Sequence, residues 1–218
     1  LYSDKMNIDP KNPKWEDRDW LVMSKGHCGP ALYAALCIRG FIPEAALATM
    51  NTPHTILPSQ CDRLKTPGVD MTTGSLGLGI SAACGMALSA KIYDKSYRVY
   101  TILGDGELEE GQVWEASMFA AHYKLDNLCA FIDFNGLQID GKITDVMNPT
   151  PIDKKFEAFG WNVISIDGNN LEEIETAVNA AKACKGKPTA VVCHTVKGKG
   201  VSFMEDQAGW HGKAPNDE

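Results

Sequence analysis

The chain has 218 residues, of which 44% are hydrophobic, so it is long enough to form one large domain with a buried core. Its formal net charge of −7 and pI near 5.3 argue against nucleic acid as a partner, because binding to phosphodiester backbones needs a basic surface. The seven cysteines show no spacing typical of a metal site and most lie in apolar runs, which favours reduced thiols in a cytoplasmic protein over disulfides.

The first twenty residues are polar and punctuated by prolines, and the sequence begins at Leu1 without a methionine. We expect residues 1–20 to form a surface loop leading into the domain, and a further segment to precede Leu1. A short apolar run at 21–23 predicts a strand. Apolar residues at helical spacing over 31–38 then predict a helix, for which Gly40 is a suitable C-cap.

Two basic side chains, Lys25 and His27, lie at the predicted amino end of this helix. The free N–H groups and the dipole of a helix make this end suitable for an anion. A basic residue at such a position is more often solvated or part of a cap, so the spacing alone leaves both interpretations open.

Residues 51–70 contain three prolines and predict an irregular loop. A glycine-rich stretch follows at 71–78, and small residues over 79–93 predict a helix that packs closely on its neighbours. Gly74 marks either a close approach of the backbone to a ligand or simple packing of helix on sheet. The best candidate for a membrane span, 74–90, is too weakly apolar, so we expect no membrane insertion and no signal peptide.

A strand, a turn, a helix and a second strand are predicted next. The apolar run 99–103 is mostly β-branched or aromatic and leads directly into a glycine-flanked turn at Asp105. Residues 113–125 carry apolar side chains at helical spacing, and 128–132 predict a strand that ends just before Asn135. Asp105 and Asn135 are therefore expected at the carboxyl ends of neighbouring parallel strands, the edge at which open α/β sheets bind ligands.

Asp105 and Asn135 offer oxygen ligands that suit a hard cation such as Mg²⁺ or Ca²⁺. Gly106 allows the backbone to come close to phosphate groups, and the N–H groups of the following helix would face them. A diphosphate held through a metal is the chemistry that this pair predicts. Each turn by itself is equally consistent with an ordinary connection between strands.

The remaining sequence predicts a βαβ unit that completes a parallel sheet. Residues 163–166 and 189–194 predict strands, and 171–183 predict the helix between them. We therefore predict an α/β fold in which helices flank a parallel sheet. The polar, glycine-broken segment 195–218 is typical of an active-site loop.

The turn residues resemble a known cofactor signature. Gly104, Asp105 and Gly106, followed after 28 intervening residues by Asn135, resemble the motif of thiamine-diphosphate-dependent enzymes. The segments DRDWLVMSKGHCGPALYAAL and TPGVDMTTGSLGLGIS, with WHGKAP near the carboxyl end, are similar to transketolases. The resemblance covers essentially the whole chain and implies the thiamine-diphosphate-binding fold, in its diphosphate-binding domain.

The resemblance also implies a role for each matching residue. Those placed against thiamine diphosphate are Lys25, His27, Gly74, Leu76, Asp105, Gly106, Glu107, Asn135, Ile139, Lys197 and His211. The metal, Mg²⁺ or Ca²⁺, would be held by Asp105, Asn135 and the carbonyl of Leu137. The residues given catalytic roles are His27, Gln60, Glu110 and His211, with Glu110 at the interface between subunits. For Glu109, a place in the first turn of a helix is sufficient explanation.

One position departs from the family pattern. Transketolases carry a Gly-His-Pro sequence before the TPGVD-like segment, and its histidine contacts the donor sugar, whereas this chain has Ser59, Gln60 and Cys61 there. Glutamine can donate and accept hydrogen bonds, but it carries no proton at neutral pH. The change suggests a modified donor, such as a branched or sulfonated sugar phosphate analogue.

By this resemblance the chain transfers a two-carbon ketol unit from a ketose phosphate to an aldose, as in the pentose phosphate branch of carbohydrate metabolism. It looks most like the amino-terminal subunit of a split transketolase, in which residues 1–218 form a single domain. A second chain would supply the pyrimidine-binding and carboxyl-terminal domains in an α2β2 assembly. The isolated chain is expected to be inactive, because the family takes the glutamate that activates the cofactor from the pyrimidine-binding domain.

Two other classes of protein remain open. A different thiamine-diphosphate enzyme, such as deoxyxylulose-phosphate synthase or a 2-oxo-acid decarboxylase subunit, shares the metal motif. A non-catalytic subunit that binds the cofactor or scaffolds a partner is the other, and Gln60 is compatible with it.

Overall fold

The computed structural model describes residues 1–215 and contains a five-stranded parallel sheet with helices on both faces. In chain order the strands are β1 (Trp20–Met23), β2 (Val99–Gly104), β3 (Leu128–Phe134), β4 (Leu137–Gln138), β5 (Gly141–Lys142), β6 (Asn162–Asp167) and β7 (Thr189–His194). Five of them lie side by side in the order β1, β2, β3, β7, β6, while β4 and β5 form a separate antiparallel ribbon.

Six α-helices and four short 3-10 helices connect these strands within the described residues. The α-helices are α1 (Gly29–Ile38), α2 (Leu78–Ile92), α3 (Gly111–His122), α4 (Ile143–Val146), α5 (Ile152–Ala158) and α6 (Leu171–Ala183). The 3-10 helices are Gly26–Cys28, Glu44–Thr49, Gly106–Glu109 and Ala208–Trp210. None of the helices in residues 1–215 has the length and apolar character needed to cross a bilayer.

The predicted α/β fold with its parallel sheet is confirmed, and element boundaries agree to within a few residues. The helix predicted at 171–183 and the strand predicted at 189–194 have the predicted limits. Gly40 follows α1 with φ +81°, the left-handed conformation expected of a residue just beyond a helix C-terminus. Of the predicted loop 195–218, residues 216–218 lie outside the described residues.

Two local expectations need correction. Residues 1–19 contain no strand or helix, as expected of a loop, but Met6, Arg18 and Asp19 are buried rather than on the surface. Arg18 is fixed by an ion pair with Asp70, and the Asp19 carboxylate accepts a 2.7 Å hydrogen bond from the Arg98 N–H. The helix expected directly after the Asp105 turn is preceded by a 3-10 turn, and α3 begins only at Gly111.

The sheet is buried between two layers of helices because its strands are apolar on both faces. Along β2, Val99 and Leu103 belong to one hydrophobic cluster and Tyr100 to the other, the alternation that a strand imposes. The first cluster contains side chains of α2, α3 and α5. The second contains side chains of α1 and α6. This three-layer packing fixes the strand ends from which the polar loops emerge.

The register between β2 and β3 determines which loop residues become neighbours. Gly104 pairs with Asp133, so Asp105 and Asn135, which follow shortly after these two residues, emerge at the same edge of the sheet. The Asp105 N–H also donates a 3.2 Å hydrogen bond to the Asp133 carbonyl, which extends the pairing by one residue. The predicted placement of Asp105 and Asn135 at the carboxyl ends of neighbouring strands is therefore confirmed.

We expect Phe156→Ala to destabilise the domain strongly. The Phe156 ring is fully buried and lies 5.4 Å from the Trp114 ring and 5.2 Å from the Trp161 ring, centroid to centroid. Truncation of such a core aromatic should lower the free energy of unfolding by about 3–5 kcal/mol, measured by urea denaturation. Leu171→Ala, at a side chain that is 80% exposed, is the control. A loss below about 1 kcal/mol for Phe156→Ala would contradict the packing described here.

Candidate functional site

A cavity of about 1040 Å³ opens at the carboxyl edge of the sheet. Most of the residues predicted to bind cofactor or metal line it, and so does Glu110, which was given a catalytic role: the cofactor and metal residues are Lys25, His27, Leu76, Asp105, Gly106, Glu107, Asn135, Leu137, Ile139, Lys197 and His211. From this edge the cavity continues as an apolar groove along the sheet, with Leu32, Phe131 and Ile174 in its wall. The structure thus brings together segments that are up to 186 residues apart in the sequence, from Lys25 to His211.

Gly74 and Gln60 do not line this cavity but lie next to each other beside it. A Cβ added to Gly74 would lie 3.5 Å from the Gln60 Oε1, and one added to Gly26 would lie 2.8 Å from the same atom. The exposed Gln60 side chain therefore covers two glycines. A larger residue at Gly26 would have to displace both the Gln60 side chain and the backbone at Thr73 and Gly74.

Two backbone hydrogen bonds fix the Asp105 carboxylate in the cavity wall. Its side chain is 2% exposed, with Oδ1 accepting from the Gly106 N–H at 2.8 Å and Oδ2 from the Gly136 N–H at 2.6 Å. Burial raises the pKa of the carboxyl group, and the two N–H bonds oppose that rise. Because each carboxylate oxygen still has a lone pair to offer, Asp105 can hold its position and bind a cation at the same time.

Asn135 and Leu137 line the cavity beside Asp105, on the loop whose Gly136 N–H bonds to that carboxylate. The Asn135 Oδ1 accepts a 3.1 Å hydrogen bond from the Leu137 N–H, which closes the turn after β3, and Gly136 has φ +77° within it. Carboxylate, amide and carbonyl oxygens are ligands for Mg²⁺ or Ca²⁺. In residues 1–215 no three His, Cys, Asp or Glu side chains cluster closely enough to hold a metal. A divalent ion here would therefore need these neutral oxygens and oxygens of a bound ligand.

Lys25 is buried, and its ammonium group forms an ion pair with Asp133. Burial would lower the pKa of Lys25, but Cys28 and Asp133 outweigh it and raise the pKa above the usual value. Burial likewise acts to raise the pKa of Asp133, and Lys25 and the hydroxyl of Thr195 outweigh it and lower the pKa. Sequence reasoning missed Asp133 and Thr195, although Asp133 comes only two residues before Asn135.

His27 and His211 face each other across the cavity wall, with ring centroids 5.2 Å apart. Burial, His211, Lys25 and Lys197 together lower the pKa of His27 to about 4. Burial, followed by Lys197 and Lys25, also lowers the pKa of His211. Both rings are therefore neutral at pH 7, each with one N–H to donate. The Nδ1 of His211 is buried and has no hydrogen-bond partner among residues 1–215.

Both oxygens of the Glu107 carboxylate are hydrogen-bonded to other residues of the chain. Its Oε1 accepts hydrogen bonds from the Ser24 hydroxyl at 2.5 Å and the Gly77 N–H at 2.9 Å, and its Oε2 accepts from the Gly104 N–H at 3.1 Å. The carboxylate thus joins the ends of β1 and β2 to the start of α2. Its predicted contact with cofactor stays a prediction, since both oxygens are already bonded within the chain.

Glu109 and Glu110, the two acidic residues just before α3, lie in different environments. Glu110 is exposed, and its side chain pairs with no other residue in the part of the chain that the structure describes. Glu109, explained from sequence by the helix dipole alone, lines the cavity with a buried, unpaired Oε1. Burial, then the charge of Asp105, raises the pKa of Glu109. Helical spacing could not have shown this environment.

Comparison with known proteins identifies the family. Residues 1–218 match the family described as "Transketolase, thiamine diphosphate binding domain". A 6-deoxy-6-sulfo-D-fructose transketolase subunit, SqwG, from Clostridium sp. (strain MSTE9) is 53% identical over 97% of this chain and 77% of its own length. An apulose-4-phosphate transketolase subunit from Phocaeicola vulgatus is 42% identical over 100% of this chain and 77% of its own.

Comparison with solved structures indicates the same family. Transketolase from Campylobacter jejuni superposes with a TM-score of 0.89 at 34% identity, covering 93% of this chain and 33% of that one. Pichia stipitis transketolase in complex with sedoheptulose 7-phosphate gives 0.91 at 32% identity, over 95% of this chain and 32% of that one. This chain spans about a third of the length of those enzymes. It therefore belongs to the transketolase family, within the thiamine diphosphate binding domain.

Proposed function

We propose that this chain is the diphosphate-binding subunit of a two-subunit transketolase, which moves a two-carbon ketol unit from a ketose to an aldose. One observation carries the proposal. Asp105 and Asn135, thirty positions apart, converge at neighbouring strand ends with Leu137, in a cavity that His27 and Lys197 also line. That arrangement supports a site for thiamine diphosphate and a divalent metal.

The metal would be held by Asp105, the Asn135 amide oxygen and the Leu137 carbonyl, leaving the remaining positions to phosphate and water oxygens. This donor set fits a divalent ion because the buried Asp105 has no cationic side chain bonded to it among the described residues. Gly106 suits a close approach of phosphate. A side chain there would meet Gln138, whose Oε1 lies 3.2 Å from an added Cβ.

The diphosphate would lie against the basic side of the cavity. Lys197 brings a positive charge to it, and the neutral rings of His27 and His211 can each donate an N–H to phosphate or substrate oxygens. Ile139, which is 65% exposed, would pack beneath the thiazolium ring, and Leu76 and the backbone at Gly74 would face the pyrimidine. When bound, thiamine diphosphate supplies the carbon–carbon bond chemistry, while the protein supplies orientation and electrostatics.

We further propose a partner chain that carries the pyrimidine-binding and carboxyl-terminal domains, assembled as α2β2 in the cytoplasm. Two relatives named as transketolase subunits exceed this chain only modestly in length, whereas the solved transketolases are about three times as long. The exposed Glu110 at the start of α3 is available for that interface. All seven cysteines are free, as expected for a reducing compartment.

The donor sugar is proposed to be a modified ketose, with a sulfonated 6-deoxyfructose favoured over a branched sugar. Gln60 replaces the histidine that contacts the donor in the family, and it would face the donor without supplying a proton. The relatives named for 6-deoxy-6-sulfo-D-fructose and for apulose 4-phosphate support such a change, the former at the higher identity.

We expect the isolated chain to be inactive and activity to appear when a pyrimidine-binding subunit of a split transketolase is added. The family takes the activating carboxylate for the aminopyrimidine from that second domain. The measurement is release of the aldose product with thiamine diphosphate and Mg²⁺ present, with and without the partner. Turnover by this chain alone at ordinary enzyme rates, about 1–10³ s⁻¹, would contradict the two-subunit arrangement.

In the assembled enzyme, the wild type is expected to prefer 6-deoxy-6-sulfo-D-fructose over xylulose 5-phosphate, and Gln60→His should shift this preference. The ratio of kcat/KM values should move towards xylulose 5-phosphate by about tenfold, the effect of one hydrogen bond of about 1.4 kcal/mol. Ser59→Ala is the adjacent control, since the Ser59 hydroxyl bonds to Asn51. A clear wild-type preference for xylulose 5-phosphate would remove the case for a modified donor.

A further inference from the structure

We infer that Asp133 is a positioning residue of the diphosphate site, because its carboxylate bonds to both basic segments that line the cavity. One is the end of β1, which carries Lys25, and the other is the loop after β7, which carries Lys197 and His211. The inference rests on the proposed function, which places a diphosphate and a metal beside Asp105.

The first contact directs Lys25 across the end of a neighbouring strand. Lys25 leaves β1, and its side chain passes over Gly104 of β2, where an added Cβ would lie 3.5 Å from the Lys25 Cδ. The ammonium group then pairs with the Asp133 Oδ2 on β3. This bond uses one of three ammonium hydrogens. The other two hydrogens remain free to bond to groups in the cavity, and the contact with Asp133 sets the direction in which they point.

The second contact ties down the start of the carboxyl-terminal loop. The Thr195 hydroxyl donates to the Asp133 Oδ1, and the Thr195 N–H donates to the Phe134 carbonyl at 3.2 Å. Thr195 is the first residue beyond β7 and comes two positions before Lys197. The Asp133 carboxylate on β3 is therefore bonded both to Lys25, just beyond β1, and to Thr195, in the loop after β7.

Charge explains why a carboxylate is needed at this position. With Asp133 ionised, the Lys25 charge is balanced, and Asp105 stays available for a divalent cation. Asn in place of Asp133 would keep the shape and one acceptor oxygen, but it would leave the buried ammonium of Lys25 without a counter-ion. The Lys25 ammonium group would then move towards the Asp105 carboxylate, where it would compete with the metal ion.

The test measures binding of Mg²⁺ and inorganic pyrophosphate to the chain by calorimetry. Asp133→Asn should weaken binding roughly 10- to 100-fold, the usual effect of losing a group that orients metal-site ligands. Lys25→Met should weaken binding as well, and combining it with Asp133→Asn should cost little more than Asp133→Asn alone, because the two residues act as one pair. Asp70→Asn is the matched control, because it breaks the other buried ion pair, that of Arg18 with Asp70, away from the cavity lining.

Hydrogen exchange of the ligand-free chain tests independently whether Asp133 holds the loop after β7 in place. Amides of residues 195–200 should exchange faster in Asp133→Asn and in Thr195→Val, while Thr195→Ser and Asp70→Asn should keep the wild-type rates. Thr195→Val also keeps the inference testable if Asp133→Asn does not fold. It should weaken pyrophosphate binding, and its loss should add to that of Lys25→Met, because it leaves the Lys25 pair intact.

The outcomes separate this inference from the proposed function. A wild-type chain that binds neither magnesium pyrophosphate nor thiamine diphosphate, with or without a partner, would overturn the proposed function and the positioning role with it. Wild-type binding that Asp133→Asn changes by less than twofold would overturn the positioning role alone. An equal loss in Asp133→Asn and Asp70→Asn would also overturn it, since the effect would then be general destabilisation.

Discussion

The site depends on one constraint, the parallel register that sets Gly104 of β2 beside Asp133 of β3. That register delivers Asp105 and Asn135 to the same edge of the sheet, where the N–H groups of Gly106 and Gly136 fix the Asp105 carboxylate from two different loops. A slip of one residue would separate these groups, and the apolar residues of β2 would also face the wrong helix layers. Core packing and site geometry are therefore specified by the same pairing.

Around that centre the chain pairs most of its buried charges before any ligand binds. Glu107 accepts three hydrogen bonds from three segments, and Lys25 pairs with Asp133. Asp105, a buried carboxylate in the cavity wall, accepts one N–H bond on each oxygen and has no bonded cation among the described residues. Since burying a carboxylate without a counter-ion is unfavourable, a divalent ion would supply positive charge beside Asp105.

Much of this could be predicted from the sequence, because parallel strands are continuous apolar runs and glycine turns have fixed requirements. The run at 99–103, the turn at Asp105 and the helix at 171–183 are local patterns, and the spacing to Asn135 pointed to the cofactor signature. The family comparison then chose transketolase over the other thiamine-diphosphate enzymes. The Lys25–Asp133 pair, 108 positions apart, and the burial of Arg18 by Asp70 come from tertiary contacts that no local pattern contains.

We expect the Asp105 carboxylate to anchor thiamine diphosphate through a divalent ion. Calorimetric titration of the assembled enzyme with thiamine diphosphate, with and without Mg²⁺, tests it directly in Asp105→Ala. Asp105→Ala should lower the Mg²⁺-dependent affinity at least about 100-fold, whereas Glu172→Ala, at an exposed acid near the start of α6, should keep the wild-type affinity. Undiminished binding of thiamine diphosphate to folded, assembled Asp105→Ala would contradict it.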